Sequence, residues 1–380
     1  MPQQHSITGY ARLSPWQARG ALALAVFFFC VTVASSPKPP ELCEIHDQAK
    51  TGDVHLYLSE IARMRKGENY YKVASEELVA QGYPTRSVFN WRTPLPMWIV
   101  AMMPSLLAAR LILIAAGLAM LALSFEAAAR EQPNVYRWAL PLVAVLAAPL
   151  IPCMRGEAFV LTEIWSGMAM ALSIAAFGVD LWLMGLSLGL AALFLRELAL
   201  PYCVICMVLA AWKRRRVETL GWLVGIAAWA GYFALHYWTV KHFIAADALG
   251  HKQSWVQFGG LGFVVGTVQM NACLILLPVP VSVAYLTLAM FGLAGWSSDW
   301  GRRITFTTCA YVLAFLVVGQ DFNRYWGLLT APLFCYGIAR VPASMEEALR
   351  AAELGELSAT ICNVVSSGFR RFQPSEQPTP

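Results

Sequence analysis

The sequence predicts an all-α polytopic membrane protein of about ten transmembrane helices, and three observations carry that prediction. Hydrophobic residues fill 58% of the 380 positions and charged residues only 13%, with a mean hydropathy of +0.54. That composition excludes a soluble nucleotide-using enzyme. The apolar residues gather into runs separated by polar breaks, each close to the roughly 20 residues a helix needs to cross the hydrocarbon layer. The chain is also rich in the residues membrane helices use, with 27 Gly, 21 Pro and 14 Trp. The formal net charge of +5 says little until each charge is placed by side.

The runs cover 19 to 36, 104 to 125, 137 to 152, 162 to 179, 181 to 195, 198 to 212, 219 to 238, 271 to 295, 303 to 319 and 326 to 340. With the N-terminal tail, residues 1 to 18, on the cytoplasmic side, Arg12 and Arg19 lie inside. The later inner loops then hold Arg130, Arg137, the cluster Lys213-Arg214-Arg215-Arg216, Arg302 and Arg303, and Arg340 closes the last span. The short outer loops hold only Arg155, Arg196, Lys241, Lys252 and Arg324. Short loops rich in Lys and Arg stay inside, so this orientation is the expected one. The long segment 37 to 95 carries eight further Lys and Arg on the outside, but long loops translocate largely regardless of charge. The first run has a second reading as a signal peptide, with Val33-Ala34-Ser35-Ser36 as a small-residue cleavage site. Uncleaved, it leaves both termini inside. The resulting organisation is a tail over 1 to 18, a membrane domain over 19 to 340 that includes outer loop 37 to 95, and a cytoplasmic tail over 341 to 380.

The outer loop is the only outer segment long enough to fold. Val54, Leu58, Ile61 and, one step off, Tyr57 recur at helical spacing, and Val73, Leu78 and Val79 repeat the pattern, which predicts two short amphipathic helices on the membrane interface. Gly67 and Gly82-Tyr83-Pro84 punctuate them. Asp53 opens the first, where it reads either as a helix cap or as a carboxylate base facing a cleft. Glu157 and Glu163 flank the start of the fourth run, six positions and about 1.7 turns apart, so they do not share one face. Glu163, beside Trp165, is the better placed to look into a cleft, with a solvated interface acid as the plain alternative. Arg196 and Glu197 interrupt two apolar runs and read as an internal salt bridge or as a phosphate contact. Arg324, next to the belt residues Tyr325 and Trp326, reads as a snorkelling anchor or a lipid-phosphate ligand, with Arg196 and Arg92 as the next candidates.

Other signals are weaker. Cys203 and Cys206 match C-x-x-C, but inside an apolar helix and without a second pair. Cys43 and Cys153 both fall outside, where a disulfide could persist. His46 and His55 flank Asp53 as potential supporting groups or simply as exposed loop residues. No cofactor motif is present, a divalent metal has no clear ligand motif, and no phosphate loop, Ser-His-Asp order or nucleic-acid motif occurs. Ser344-Met345-Glu346-Glu347 can start a cytoplasmic helix with Leu349, Leu354 and Leu357 as its apolar positions, and the Pro-rich end from Gln373 onward has disordered composition.

One arrangement resembles a known family. A first span, an outer loop opening with an acid and continuing as two interfacial helices, and further spans with outer acids and arginines are similar to the GT-C membrane glycosyltransferases, in particular the bacterial polyprenyl-phosphate-mannose-dependent type. The segment Asn69-Tyr70-Tyr71-Lys72-Val73-Ala74-Ser75-Glu76-Glu77-Leu78, then Gly82-Tyr83-Pro84 and Asn90-Trp91-Arg92-Thr93-Pro94, resembles the first outer loop of those enzymes, and Gly156 to Trp165 and Arg324-Tyr325-Trp326 add to the likeness. The resemblance is one of architecture and loose motifs over most of the membrane region. It implies transfer of a sugar, mannose in that type, from a polyprenyl-phosphate donor to an acceptor hydroxyl on a glycan or glycolipid. It places the active site at the outer face of a bacterial inner membrane, with membrane lipids as surroundings and no nucleic-acid partner. Asp53 would be the catalytic base, with Glu60, about two turns on, as its substitute. Glu163, Arg196, Arg324, Arg92 and Glu157 would be the substrate-binding candidates. The rival classes are a lipid or glycan transporter, for which Pro278-Val279-Pro280 supplies one helix break without a matching partner, and a noncatalytic membrane scaffold.

Overall fold

The computed structural model describes residues 8–35, 52–131, 139–151, 156–250, 254–271 and 274–354. Among these residues the chain is all-helical apart from one isolated antiparallel bridge between Val256 and Val318. Helix α1 (Pro15–Ser35) is followed by three short helices, α2 (Asp53–Met64), α3 (Tyr70–Ala80) and α4 (Pro94–Met102). Then come α5 (Leu106–Glu131), α6 (Ala139–Ala147), α7 (Thr162–Gly178), α8 (Trp182–Leu195), α9 (Leu200–Trp212) and α10 (Arg216–Phe243). The chain closes with α11 (Gly260–Val268), α12 (Val279–Ala294), α13 (Asp299–Val317) and α14 (Gly327–Ala351). Every apolar run of the sequence holds a helix. Among the described residues four stretches are long and apolar enough to cross a bilayer: Pro15–Ser35, Leu106–Glu131, Arg216–Phe243 and Asp321–Ala351. Helices Trp182–Leu195, Glu197–Trp212 and Val279–Ala294 are apolar but shorter.

Helix α7 is buried on nearly every side, between α5, α8 and α14, as expected for a helix apolar all round. Helices α12 and α14 cross closely because glycines face each other: a Cβ on Gly292 would lie 2.0 Å from the Gly337 carbonyl oxygen.

The charges segregate to opposite ends of the bundle. At one end Arg303 pairs with Glu218 at 2.6 Å, Arg215 with Asp299 at 2.8 Å and Arg340 with Glu131 at 3.4 Å. The N-terminal turn docks there too: Tyr10 donates to the Phe291 carbonyl at 3.0 Å, and the Thr8 amide donates to Glu347. At the other end, α3 packs against α10, α4 against α8, and α2 against the turn Ala158–Val160 that leads into α7.

Four expectations are corrected. The seventh interval between runs holds α11, a helix buried through Phe263–Val268 that the sequence reading left in an outer loop, and α12 begins only at Val279 rather than at 271. Six consecutive buried positions carry no amphipathic period to detect. The inward face of α2 is Leu56, Tyr57, Glu60 and Ile61, so Val54 and Leu58 sit at its edge; the stripe turns because Glu60 is buried. On α3 the buried set is Tyr70, Val73, Ala74 and Leu78, and Val79 is 63% exposed. The last span and the expected tail helix are one continuous α14 containing Pro332 and Pro342; Ser344 caps nothing and donates to the Gly292 carbonyl at 3.2 Å. Leu357, the chain end, His46, and the expected Cys43–Cys153 pair lie outside the described residues.

Candidate active site

Asp53 is the first helical residue of α2, and the cap position belongs to Gly52, which has no side chain to bond the free amides. The capping role expected of Asp53 is therefore replaced by tertiary contacts, although its charge still complements the helix dipole. Its Oδ1 accepts from the Tyr83 hydroxyl at 2.9 Å, and its Oδ2 stands 3.7 Å from Arg92 Nη2. That second separation is longer than a direct hydrogen bond, so Oδ2 has room for another donor.

Arg92 reaches the site from the turn before α4, whose start is set by Thr93 and by Pro94 in the first helical position. Its Nε donates to Tyr57 Oη at 2.7 Å, Nη2 to Tyr325 Oη at 3.0 Å and Nη1 to the Phe89 carbonyl at 3.3 Å. The Arg92 carbonyl accepts from Tyr70 at 2.6 Å, which ties the turn to α3. Burial, above all, holds the Tyr57 and Tyr83 hydroxyls well above their ordinary value, and for Tyr83 the Asp53 charge is the next cause. Both stay neutral, so the cation of Arg92 is solvated by dipoles and shared with one distant carboxylate.

These groups face a cavity of about 350 Å³. Asp53, Arg92, Arg196 and Glu197 line it, with Asn90 and Asn323 as amides and Tyr57, Tyr83, Trp255 and Tyr325 among its aromatic walls. Arg196, at the end of α8, is 2% exposed and held by Glu163 of α7 at 2.8 Å and by Glu197 at 2.7 Å. Glu163 is fully buried behind Arg196 and does not line the cavity, so it acts on the site only through that guanidinium.

The other expected site residues lie elsewhere. Arg324 does not line the cavity, although Asn323, Tyr325 and Trp326 do; its guanidinium pairs with Asp321 at 3.3 Å and its stem packs on Gly266 of α11. Glu157 is exposed, just before the turn Ala158–Val160, and is also absent from the lining. Glu60 is 2% exposed beneath the site, with Oε2 unpartnered, and burial pushes its carboxyl up to about 8. His55 is exposed, 3.3 Å from Gln81, and Cys203 and Cys206 are buried thiols of α9. Among the described residues no three His, Cys, Asp or Glu side chains gather as a metal-ligand set.

Tyr57, Tyr83 and Trp255 line the cavity without having been expected there, whereas Glu197, weighed together with Arg196 as a salt bridge or a phosphate contact, is found on the wall. Tyr57 had a signal, since it follows Asp53 by four residues and so shares its helix face. Trp255 had none: it lies in a short extended segment brought to the wall by the Val256–Val318 bridge and by the Gly319 amide donating to its carbonyl at 3.0 Å.

A scan against protein-family models, a search of curated proteins and a search of solved structures each found no match to this chain.

Proposed function

We propose that this protein is an integral-membrane glycosyltransferase of GT-C type that moves a sugar, mannose on the family likeness, from a polyprenyl-phosphate donor to an acceptor hydroxyl. On this reading the ten apolar runs are ten spans, both ends are cytoplasmic, and the cavity opens at the outer face of a bacterial inner membrane. The observation that carries the proposal is the placement of Asp53 and Arg92, a carboxylate and a guanidinium 3.7 Å apart, on the wall of one cavity.

The chemistry follows from that pair. A sugar hydroxyl is a poor nucleophile, and Asp53 Oδ2 accepts its proton as the oxygen bonds to the anomeric carbon. The bond from that carbon to the phosphate oxygen breaks, and the departing polyprenyl phosphate takes the electron pair. Arg92 meets the charge that develops on it, where a preoriented cation is worth most. Direct displacement with one base inverts the anomeric centre. Arg92, rather than Arg324, takes the phosphate role, because Arg324 is turned to Asp321 and Arg196 is already matched by two carboxylates.

The test is Asp53→Asn in the purified full chain, assayed for transfer from a short prenyl-phosphate hexose. The expected loss is about 100- to 10,000-fold in kcat. Near-normal turnover by a folded Asp53→Asn protein would overturn the assignment. The Pro278-Val279-Pro280 step at the start of α12 favours a second reading as a transporter, since broken helices line substrate paths in carriers. Movement of the prenyl-phosphate sugar across vesicles without any transfer would select that reading.

A further inference from the structure

We infer that the cavity selects an acceptor whose reacting sugar is uncharged and excludes one bearing a carboxylate or phosphate, with Glu197 and the Trp255–Trp326 wall as the recognition elements. The inference rests on the transferase reading for the word acceptor, but its physical content is the charge and surface of the cavity.

The charge balance comes first. On the wall or directly behind it stand three carboxylates, Asp53, Glu163 and Glu197, against two guanidiniums, Arg92 and Arg196, a formal excess of one negative charge. Arg196 has no cationic capacity to spare, since Glu163 and Glu197 both hold it within 2.8 Å. Of the two guanidiniums on the wall, Arg92 is the one whose hydrogen-bond partners are all neutral, and a donor phosphate would occupy it. Arg324 brings no relief, because it faces Asp321 and lies off the cavity. A second anion entering after the donor would meet Asp53 and Glu197 with no counter-charge in a partly dry site, where like charges repel far more strongly than in water.

The wall supplies the positive half of the selection. The Trp255 and Trp326 rings stack at 6.1 Å with planes 22° apart, and Phe89 and Phe322 flank the same space. Flat apolar faces with a few convergent polar groups suit a sugar ring, which presents an apolar C–H face and a rim of hydroxyls. Glu197 offers such a polar group: its Oε1 is held by Arg196, and its carboxylate stands on the cavity wall. A carboxylate is acceptor-only, so it binds a hydroxyl and rejects another carboxylate.

The experiment is equilibrium binding to the full chain in neutral nanodiscs saturated with a short prenyl phosphate to occupy Arg92, followed by tryptophan fluorescence, with an octyl hexopyranoside and the matching octyl hexuronoside, which differ only in a carboxylate replacing the hydroxymethyl group of the sugar. The neutral glycoside is expected to bind on the order of tenfold more tightly or better. In Glu197→Gln that ratio should shrink several-fold, and in Trp255→Ala both affinities should fall while the ratio holds. Equal affinities in the unmodified protein, an unchanged ratio in Glu197→Gln, or no binding of either glycoside would overturn the inference. Binding needs no turnover, so a protein that shows the preference but never transfers sugar would sink the transferase reading and leave the cavity's selectivity standing.

Discussion

Asp53 Oδ2 and Arg92 Nη2 lie 3.7 Å apart at the mouth of α2, and each is held by its own tyrosine: Tyr83 donates to Asp53, and Tyr57 accepts from Arg92. A carboxylate and a guanidinium left free would close to a bidentate pair. The neutral hydroxyls keep them apart and aim both at the cavity, so that a proton acceptor and a phosphate ligand coexist without cancelling.

Arg92→Ala is expected to raise the KM for a prenyl-phosphate sugar by about 10- to 100-fold, the effect of losing a charged hydrogen bond of about 1.5–3 kcal/mol. Arg92→Lys should recover only part of that loss, because one ammonium cannot span Tyr57, Tyr325 and the Phe89 carbonyl as a planar fork does. Steady-state kinetics with varied donor decide it, and an unchanged KM together with an unchanged kcat in folded Arg92→Ala would remove Arg92 from the site.

Glu60 should make the protein less stable as pH rises. Burial pushes its carboxyl up to about 8 from an ordinary 4.5; Arg92 pulls the other way, and the Glu77 and Asp53 charges add to the rise. The folded chain therefore keeps a proton that the unfolded chain releases, so this contribution is complete below about 4.5 and is lost as pH climbs through about 8. Thermal melts of the unmodified protein and Glu60→Gln across that window should diverge, with the variant showing the flatter profile. Parallel profiles would mean that Glu60 is not the proton holder.

Arg196→Met alone is expected to cost about 3–5 kcal/mol of stability, because it strands the fully buried Glu163 without a counter-ion. Combining it with Glu163→Met should restore much of the loss, since a buried ion pair replaced by packed apolar groups is often close to neutral. Yield and melting temperature of the single and double variants measure the coupling; strictly additive losses would argue that the pair does not act as a unit.

Opposite sidedness of the two charge-bearing ends is tested by single cysteines in a background without the native ones. Lys66→Cys, after α2, should label from outside intact cells, and Arg214→Cys, between α9 and α10, only after the membrane is opened. Labelling of both from outside would reverse the topology and displace the proposed site.

Local order was readable in the residues. Apolar runs located most of the helices, and the Lys213-to-Arg216 cluster and its companions marked one end of the bundle, because composition and periodicity act over one or two turns of chain. Asp53 at the head of a helix was legible for the same reason. Which groups share a cavity was decided only by the tertiary packing. In the turn Asp321–Trp326, successive side chains point in different directions, so Asn323, Tyr325 and Trp326 face the cavity while Arg324 lies against Gly266 of α11, a helix whose unbroken apolar sequence announced nothing. Glu163 read from sequence as an acid facing a cleft or, more plainly, the interface, and only the packing of α8, which brings Arg196 to 2.8 Å from it, makes it a buried ion-pair partner. The pairing of Asp53 with Arg92 likewise depends on α2 and the turn before α4 docking on the same bundle end, a contact between segments whose spacing along the chain carries no directional information.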